Sequence, residues 1–413
     1  MTQNENITIL PLKSKSTRTF VTGYRSDLFG SELKQTTQDN RFWSWGDDNL
    51  FPVGLAQMAR RSATHRRILN DKADYISGKG FVYDHEIEKL AELINAPNGS
   101  GETLRQLLNK VAFDKCLFGN AFIEVVTDEK NSFLALFHHD ASKCRLCKDN
   151  RHILLHHDWK SVMWSDVKRL AKYPLFEKVQ DGTFRSVIHY KDYEPMFENY
   201  GVPPYIAGMN VSAIAYKTDR WNISRLENSF QPSGVMVLDA DVNSEENARE
   251  LIRTAENKFA GKPGQVMFMV KNDTSNDKSQ FIPINSNNEA DWINLHKQAT
   301  GDIVVAHSWF RSLSGLDYST GFSAERILQE YEVALNTVIL AEQEELLDPI
   351  RKLIRDILNC DDSSFEIINR PPTKVRPEYM KVWEARRADG LDFDPEDESQ
   401  NIYLAQLKYK SEL

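Results

Sequence analysis

Residues 138–157, HHDASKCRLCKDNRHILLHH, hold five of the ten histidines and two of the four cysteines in this 413-residue chain. Cys144 and Cys147 stand in C-x-x-C spacing, with His138, His139, His152, His156 and His157 around them. Thiolate and imidazole are the donors of a tetrahedral zinc centre, so zinc is the first chemistry to weigh. A zinc knuckle needs both cysteines to converge on one point, usually through a glycine turn, and Arg145-Leu146 is a poor fit. If Asp149-Asn150 tops a two-residue hairpin, Cys147 faces His152, Leu146 faces Ile153 and Cys144 faces Leu155. Side chains three apart on a strand point to opposite faces. Cys144, Leu146, Ile153 and Leu155 then share a buried face, while Lys143, Arg145, Cys147, His152 and His156 share a wet one. An ordinary hairpin is expected, with no metal.

Other catalytic patterns are missing. GKG at 78–80 and GKPG at 261–264 lack the leading glycine spacing and the Ser or Thr of a phosphate-binding loop. G-x-G-x-x-G, H-E-x-x-H and G-x-S-x-G do not occur. Asp47-Asp48 and Asp361-Asp362 are acidic pairs without assignable carboxylate partners for a two-metal site. Neither a catalytic residue nor a cofactor is expected.

Apolar residues make up 41% and charged residues 27% of the chain, which excludes wholesale disorder. Basic residues number 51 against 60 acidic, a net charge of −9 that argues against tight DNA binding. It does not exclude a surface that DNA passes without sticking. Cysteines at 116, 144, 147 and 360 form no dense disulfide framework, and a reducing compartment is the default. The first residues lack the apolar core of a secretory signal, and no run approaches the roughly 20 apolar residues of a membrane span. A soluble protein, cytosolic or assembled from the cytosol, is expected, with no membrane partner.

The elements that would position any site follow an α+β order. Residues 1–40 read as a polar arm. One helix follows the WGDDNLF turn, with Leu55, Met58, Ala59, Ile68, Leu69 and Ala73 on its buried stripe and Gly78 and Gly80 at its end. Further helices span 87–95 and 103–117, the latter ending at Gly119 before the strand NAFIEVVTD. Short strands then alternate with turns to about residue 193, including a hairpin with Asp181-Gly182 at its tip. After Pro203-Pro204 a helix covers 206–230. A β-α-β-β block follows, in which GVMVLD, QVMFMV and SQFIPI are strands and 243–261 is helical. Another helix covers 289–311, SLSGLDYSTGFS is a flexible loop, and a long helix runs from Ala324 to Leu358. Its stripe of Ile327, Leu328, Tyr331, Ala334, Leu335, Val338 and Ile339 continues through Leu346, Ile350, Leu353, Ile354 and Ile357. A helical piece lies around Val382, before six acids in residues 389–398.

In this order the parts resemble the portal proteins of tailed bacteriophages. DDNLFPVGLAQMARRSATHRRILNDKADYISGKGF, LLNKVAFDKCLFGNAFIEV, YGVPPYIAG, SRLENSFQPSGVMVL, IVVAHSWFRSLSGL and SAERILQEYEVALNTVILAEQEELLDPIRKLI carry the resemblance over roughly residues 41–358. Many relatives close the second stem helix with Phe-Gly-Val-Pro-Pro, where this chain has SWFRSLSG. The resemblance implies a portal fold: an arm at 1–40, a wing at 41–205, a first stem helix at 206–230 and a clip at 231–285. A second stem helix at 286–311, a tunnel loop and tunnel helix at 312–358, and a crown at 359–413 complete it.

The same resemblance implies a homo-oligomeric ring, usually of twelve subunits, at one vertex of the virion capsid. Double-stranded DNA would pass its axis without sequence preference. Major capsid protein, scaffold, the terminase large subunit and a head–tail adaptor are the implied partners, with assembly in the host cytoplasm. Lys217, Arg220 and Arg225 nearly balance Asp219 and Glu227 on the first stem helix, as suits sliding DNA. Ser314, Gly315, Leu316, Asp317, Tyr318, Ser319, Thr320 and Gly321 are the candidate DNA-touching loop, with one charge and two glycines for mobility. The acids Glu342, Glu344, Glu345 and Asp348 read either as a solvated helix face or as a DNA-repelling wall. His307 reads as a core histidine or one that orients the second stem helix. Two rivals stay open: another virion component of tail or baseplate, and a metal-dependent hydrolase or nuclease.

Overall fold

The computed structural model describes residues 40–227, 234–239, 266–271, 280–283, 289–316, 324–362, 364–372, 381–388, 394–397 and 399–403, and elements are numbered among these. Two helices open the fold, α1 (Phe51–Arg61) and α2 (Ala63–Ile76), where one was expected. Ser62 separates them. Its backbone is extended at φ −109° and ψ 111°, and its hydroxyl accepts from the His65 amide at 3.3 Å. A serine hydroxyl that caps the next helix competes with continuation of the previous one. β1 (Phe81–Val82) and α3 (Glu88–Asn95) lead to α4 (Leu104–Phe118), which starts in a reciprocal Thr103/Gln106 capping box and ends at left-handed Gly119.

A seven-stranded sheet follows, built from β2 (Asn120–Thr127), β3 (Phe133–His139), β4 (Cys144–Leu146), β5 (His152–Leu155), β6 (Lys168–Lys172), β7 (Glu177–Lys178) and β8 (Phe184–Lys191). Its order is β3-β2-β8-β6-β5-β4, with β7 paired to β8. β2 lies between β3 and β8 and every one of its residues is buried.

The histidine-rich hairpin has the expected register, Cys144 opposite Leu155 and Leu146 opposite Ile153, with the Cys147 amide donating to His152 at 3.0 Å. Its supposedly wet face is covered at Arg145, His152 and His156, which corrects the sequence reading there, while Lys143 stays exposed and Cys147 is half-buried. Arg145 is 0% exposed, and His152 and His156 are buried too. The Arg145 guanidinium donates to the side chain and carbonyl of Asn49 at 2.6 and 2.7 Å, and to the carbonyls of Ser142 and Cys144. Trp45 and Trp159 rings flank it. A cation can be buried there because most of its donors find oxygen acceptors.

Past Tyr205, α5 (Met209–Glu227) extends about 28 Å. β9 (Gly234–Asp239), β10 (Val266–Lys271) and β11 (Gln280–Pro283) form a second sheet in the order β10-β9-β11, with β9 and β10 parallel. The helix expected at 243–261 lies outside the described residues. α6 (Glu289–Ala306) returns antiparallel to α5: a Cβ on Gly208 would collide with Ala306, and His296 Nδ1 is 3.5 Å from Asp219.

The long C-terminal helix comprises α7 (Ala324–Ala334), a π turn at Leu335–Ile339 and α8 (Leu340–Asp356). Its first half packs Ile327, Tyr331, Ala334 and Ile339 against Ile303, Trp309 and Leu313. Its second half packs Leu346, Ile350, Leu353 and Ile354 into the core under α4 and β2. The π turn adds a residue between the two buried stripes and so keeps both in phase with different cores. β12 (Glu366–Ile367) then pairs with β1, and the Phe365 and Phe81 rings stack at 5.2 Å. α9 (Val382–Ala388) is the last helix described.

Gly119 sits at the crossing of these parts, with φ 65° and Val202 and Pro203 backbone beside it; a Cβ there would lie 2.6 Å from the Val202 carbonyl carbon. Gly119→Ala is expected to lower stability by at least ~1–2 kcal/mol, read as a shift in the urea midpoint.

Candidate functional site

The segment after α6 is where a DNA-touching loop was expected. α6 stops at Ala306, five residues short of the expected end. Ser308 adopts φ 49°, and its amide and that of Trp309 donate to the carbonyls of Val305 and Val304 at 2.9 and 3.0 Å. That double bond pattern closes a helix, normally on glycine, and serine gave no such signal in the sequence. Glu330 of α7 then clamps the turn by accepting from both the amide and the hydroxyl of Ser312 at 2.8 Å.

Ser314 is buried and donates its hydroxyl to the Phe310 carbonyl at 2.9 Å. Its side chain therefore faces its own turn. Gly315 is exposed at φ 70°, and Leu316 packs against the apolar cluster around Trp309 and Leu313. Asp317, Tyr318, Ser319, Thr320 and Gly321 lie outside the described residues.

Beneath this turn is a buried aromatic junction. His307 Nε2 lies 2.7 Å from His65 Nδ1 of α2, and the Tyr205 ring stacks on His307 at 4.7 Å. The Tyr205 hydroxyl donates to the Leu117 carbonyl, and the Lys72 ammonium reaches the His307 carbonyl at 3.3 Å. Burial, then the neighbouring Arg66 charge, pushes His65 from its ordinary 6.5 down to about 4. Burial, with His65 and Lys72 beside it, also holds His307 well below the usual histidine range. At neutral pH the two rings are uncharged and share one proton between the facing nitrogens. His307 is thus a core histidine that also ties the end of α6 to α2.

Lys115 of α4 is the charged counterpart. Its ammonium is buried and meets Glu342 at 2.5 Å, Asp192 at 2.9 Å and Glu345 at 3.0 Å. Burial alone would lower its pKa, but Asp192 and Glu342 outweigh that and hold it above the ordinary lysine value. The acids read from sequence as one face of the long helix therefore divide. Glu342 and Glu345 hold Lys115, Glu344 pairs with Arg351 and Asp348 with Lys352, both at 2.6 Å. Lys72, Lys115, Cys116, Asp192, Tyr205, His307 and Glu342 line a cavity of about 10 Å³, the size of one water. Sequence reasoning missed this convergence because its members come from six separate stretches of chain.

The histidines of the C-x-x-C region go to separate partners. His138 meets Asp114 at 2.9 Å, His139 meets Glu124 at 2.7 Å, and His152 lies between Asp149 and Glu177. Among the described residues no three His, Cys, Asp or Glu side chains gather as a metal-binding group. No helix among them is long and apolar enough to cross a membrane.

With helices α1–α4, the central sheet, the antiparallel α5–α6 pair and the small three-stranded sheet in place, comparison with known proteins decides the family. The family model for phage portal protein matches residues 78–308, more than half of the chain. This chain belongs to the phage portal protein family. An uncharacterised protein of Rickettsia bellii (strain RML369-C) is 21% identical over 219 residues, 52% of this chain and 51% of that protein. The chain thus spans about half the length of the curated relative it matches. Among solved structures, the neck of an empty GTA particle computed with C6 symmetry contains a chain 14% identical, with a TM-score of 0.52 over 83% of this chain and 94% of that one. The neck of a native GTA particle computed with C12 symmetry gives 13% identity and a TM-score of 0.50 over the same shares. These likenesses bear on fold: the mixed helix-and-sheet architecture expected from sequence is observed, and it resembles those neck chains.

The buried histidines make stability depend on pH. His65 has a folded pKa near 4 against an ordinary 6.5, so its contribution is complete above about pH 6.5 and is lost as pH falls toward 4. A loss of about 3 kcal/mol is expected between pH 7 and 4, seen as a falling urea midpoint. The variant His65→Phe/His307→Leu should lose that part of the pH dependence, whatever its absolute stability.

Proposed function

We propose that the chain assembles as a ring at one vertex of a virion capsid, where it conducts double-stranded DNA during packaging and ejection. The observation that carries this reading is the match to the portal family over residues 78–308. A structurally similar chain in a particle neck with C12 symmetry supports twelve subunits. The role is structural rather than catalytic. Major capsid protein and scaffold would meet the outer surface, and the terminase large subunit and later the head–tail adaptor would dock on the clip.

In this reading α1–α4 and the seven-stranded sheet form the wing, α5 and α6 the stem, and β9–β11 the clip. Residues 312–323 are the tunnel loop, and α7 through α8 the tunnel helix. The crown begins after about residue 370, because Phe365 and Ile367 belong to the same core as Phe81.

Charge supports sliding rather than gripping. Each Lys–phosphate contact adds affinity and salt dependence, so a basic collar would hold DNA still. The chain is acidic overall at −9, and residues 314–321 carry a single charge, Asp317. Leu316 anchors one end of the loop to the apolar cluster, leaving the following residues to touch DNA weakly.

Replacing Asp317, Tyr318 and Ser319 by Gly-Ser-Gly, with the Leu316 anchor kept, tests this role. Rings and particles are expected to form normally while retained DNA falls about tenfold or more, measured as packaged DNA per particle. Packaging and retention at the parental level would contradict it.

A further inference from the structure

The loop joining β8 to Tyr200 is fixed at its base and bare at its tip. The Asp192 amide donates to the Gly119 carbonyl at 2.9 Å, and its carboxylate meets Lys115. Lys191 Nζ donates to the Glu198 carbonyl at 2.6 Å, closing the neck of the loop. Just beyond, the Gly201 amide donates to the Asn120 side chain at 2.9 Å. Inside these clamps the Phe197 amide donates to the Glu194 carbonyl at 3.1 Å, forming a turn with Pro195 second and Met196 third. Met196 has φ 72°, a conformation glycine adopts freely and methionine does not. Tyr193 is 85% exposed and Met196 96%, more than any other large apolar side chain among the described residues. Single exposed apolar residues are ordinary. Two at the tip of a clamped turn, one held out at a positive φ, call for a partner.

A surface of opposite character lies on α1 and α2. Arg60, Arg61, Arg66 and Arg67 fall within eight residues, and no acid occurs between Asp48 and Asp71. Arg61 lies over the Tyr216 ring at 5.3 Å, Arg66 over Phe113 at 4.4 Å, and Arg67 pairs with Asp71 at 2.7 Å. Among the described residues Arg60 has no carboxylate partner, and Glu194 in the turn and Glu198 at the loop's neck have no cationic one. Val53 on α1 is a large exposed apolar neighbour of this basic stretch.

We infer that the 192–199 loop is a plug by which one copy of the chain holds the next. Tyr193 and Met196 pack on the α1–α2 surface of the neighbouring copy, and Glu194 and Glu198 face its arginines. The inference rests on the ring reading above and supplies a contact for it. Joining two different surfaces of identical chains is the arrangement that repeats around a ring. Charge selects α1–α2 over the exposed outer face of α8, whose cations Arg351 and Lys352 are already engaged by Glu344 and Asp348. The turn is already held in shape before binding, so little ordering is needed at assembly.

The test uses the full chain and reads the concentration at which rings form, by mass photometry with micrographs of the same samples. Tyr193→Ser/Met196→Gly is expected to raise that concentration at least tenfold without lowering the melting temperature, because glycine suits the turn. Arg60→Glu/Arg66→Glu should weaken assembly similarly, and adding Glu194→Arg/Glu198→Arg should restore it. Benzoylphenylalanine placed at Met196 should photo-cross-link to residues 50–70 of a second copy. Wild-type assembly by Y193S/M196G, or cross-links confined to other surfaces, would overturn the plug and leave the ring reading intact. A wild-type chain that forms no ring would overturn that reading, and the plug with it.

Discussion

An ammonium taken out of water costs several kcal/mol unless carboxylates surround it, and Lys115 is surrounded by three. Asp192 comes from the end of the central sheet, and Glu342 and Glu345 come from α8. These ion pairs tie the end of the central sheet and α8 to α4. The imidazole pair next to Lys115 likewise ties α2 to the end of α6, through one shared proton. Around this point the wing-like part, the antiparallel helices and the long C-terminal helix are held together.

That constraint fits what a DNA-conducting ring must do. In the proposed ring, a loop at the bore could deflect without loosening the subunit only if its root were held. Glu330 clamps one side of that root, and the His65–His307 pair lies below it. The π turn at Leu335–Ile339 lets a single helix serve two cores.

Local signals in the sequence were read correctly where the physics is local. A hairpin turn read at Asp149-Asn150 placed Cys144 opposite Leu155, and Gly119 marked the end of α4. The resemblance to portal proteins was legible because six ordered stretches carried it together. Burial of Arg145 was not legible, because its acceptor Asn49 and the flanking Trp45 lie about a hundred residues away. Ser62 and Ser308 ended helices that hydrophobic spacing alone would have continued; their signal is a hydroxyl cap in one case and a left-handed serine in the other. The Lys115 cluster draws on residues far apart in sequence, and no spacing rule reaches that far.

Closure into a ring around DNA is the proposal on which the rest turns. Its most direct measurement is the solution mass of the purified full chain, with electron micrographs of the same peak. Twelve subunits of 47.5 kDa predict a particle of about 570 kDa with a central hole. A species that stays at 47.5 kDa at every concentration and salt, and remains so when capsid protein and scaffold are added, would contradict it.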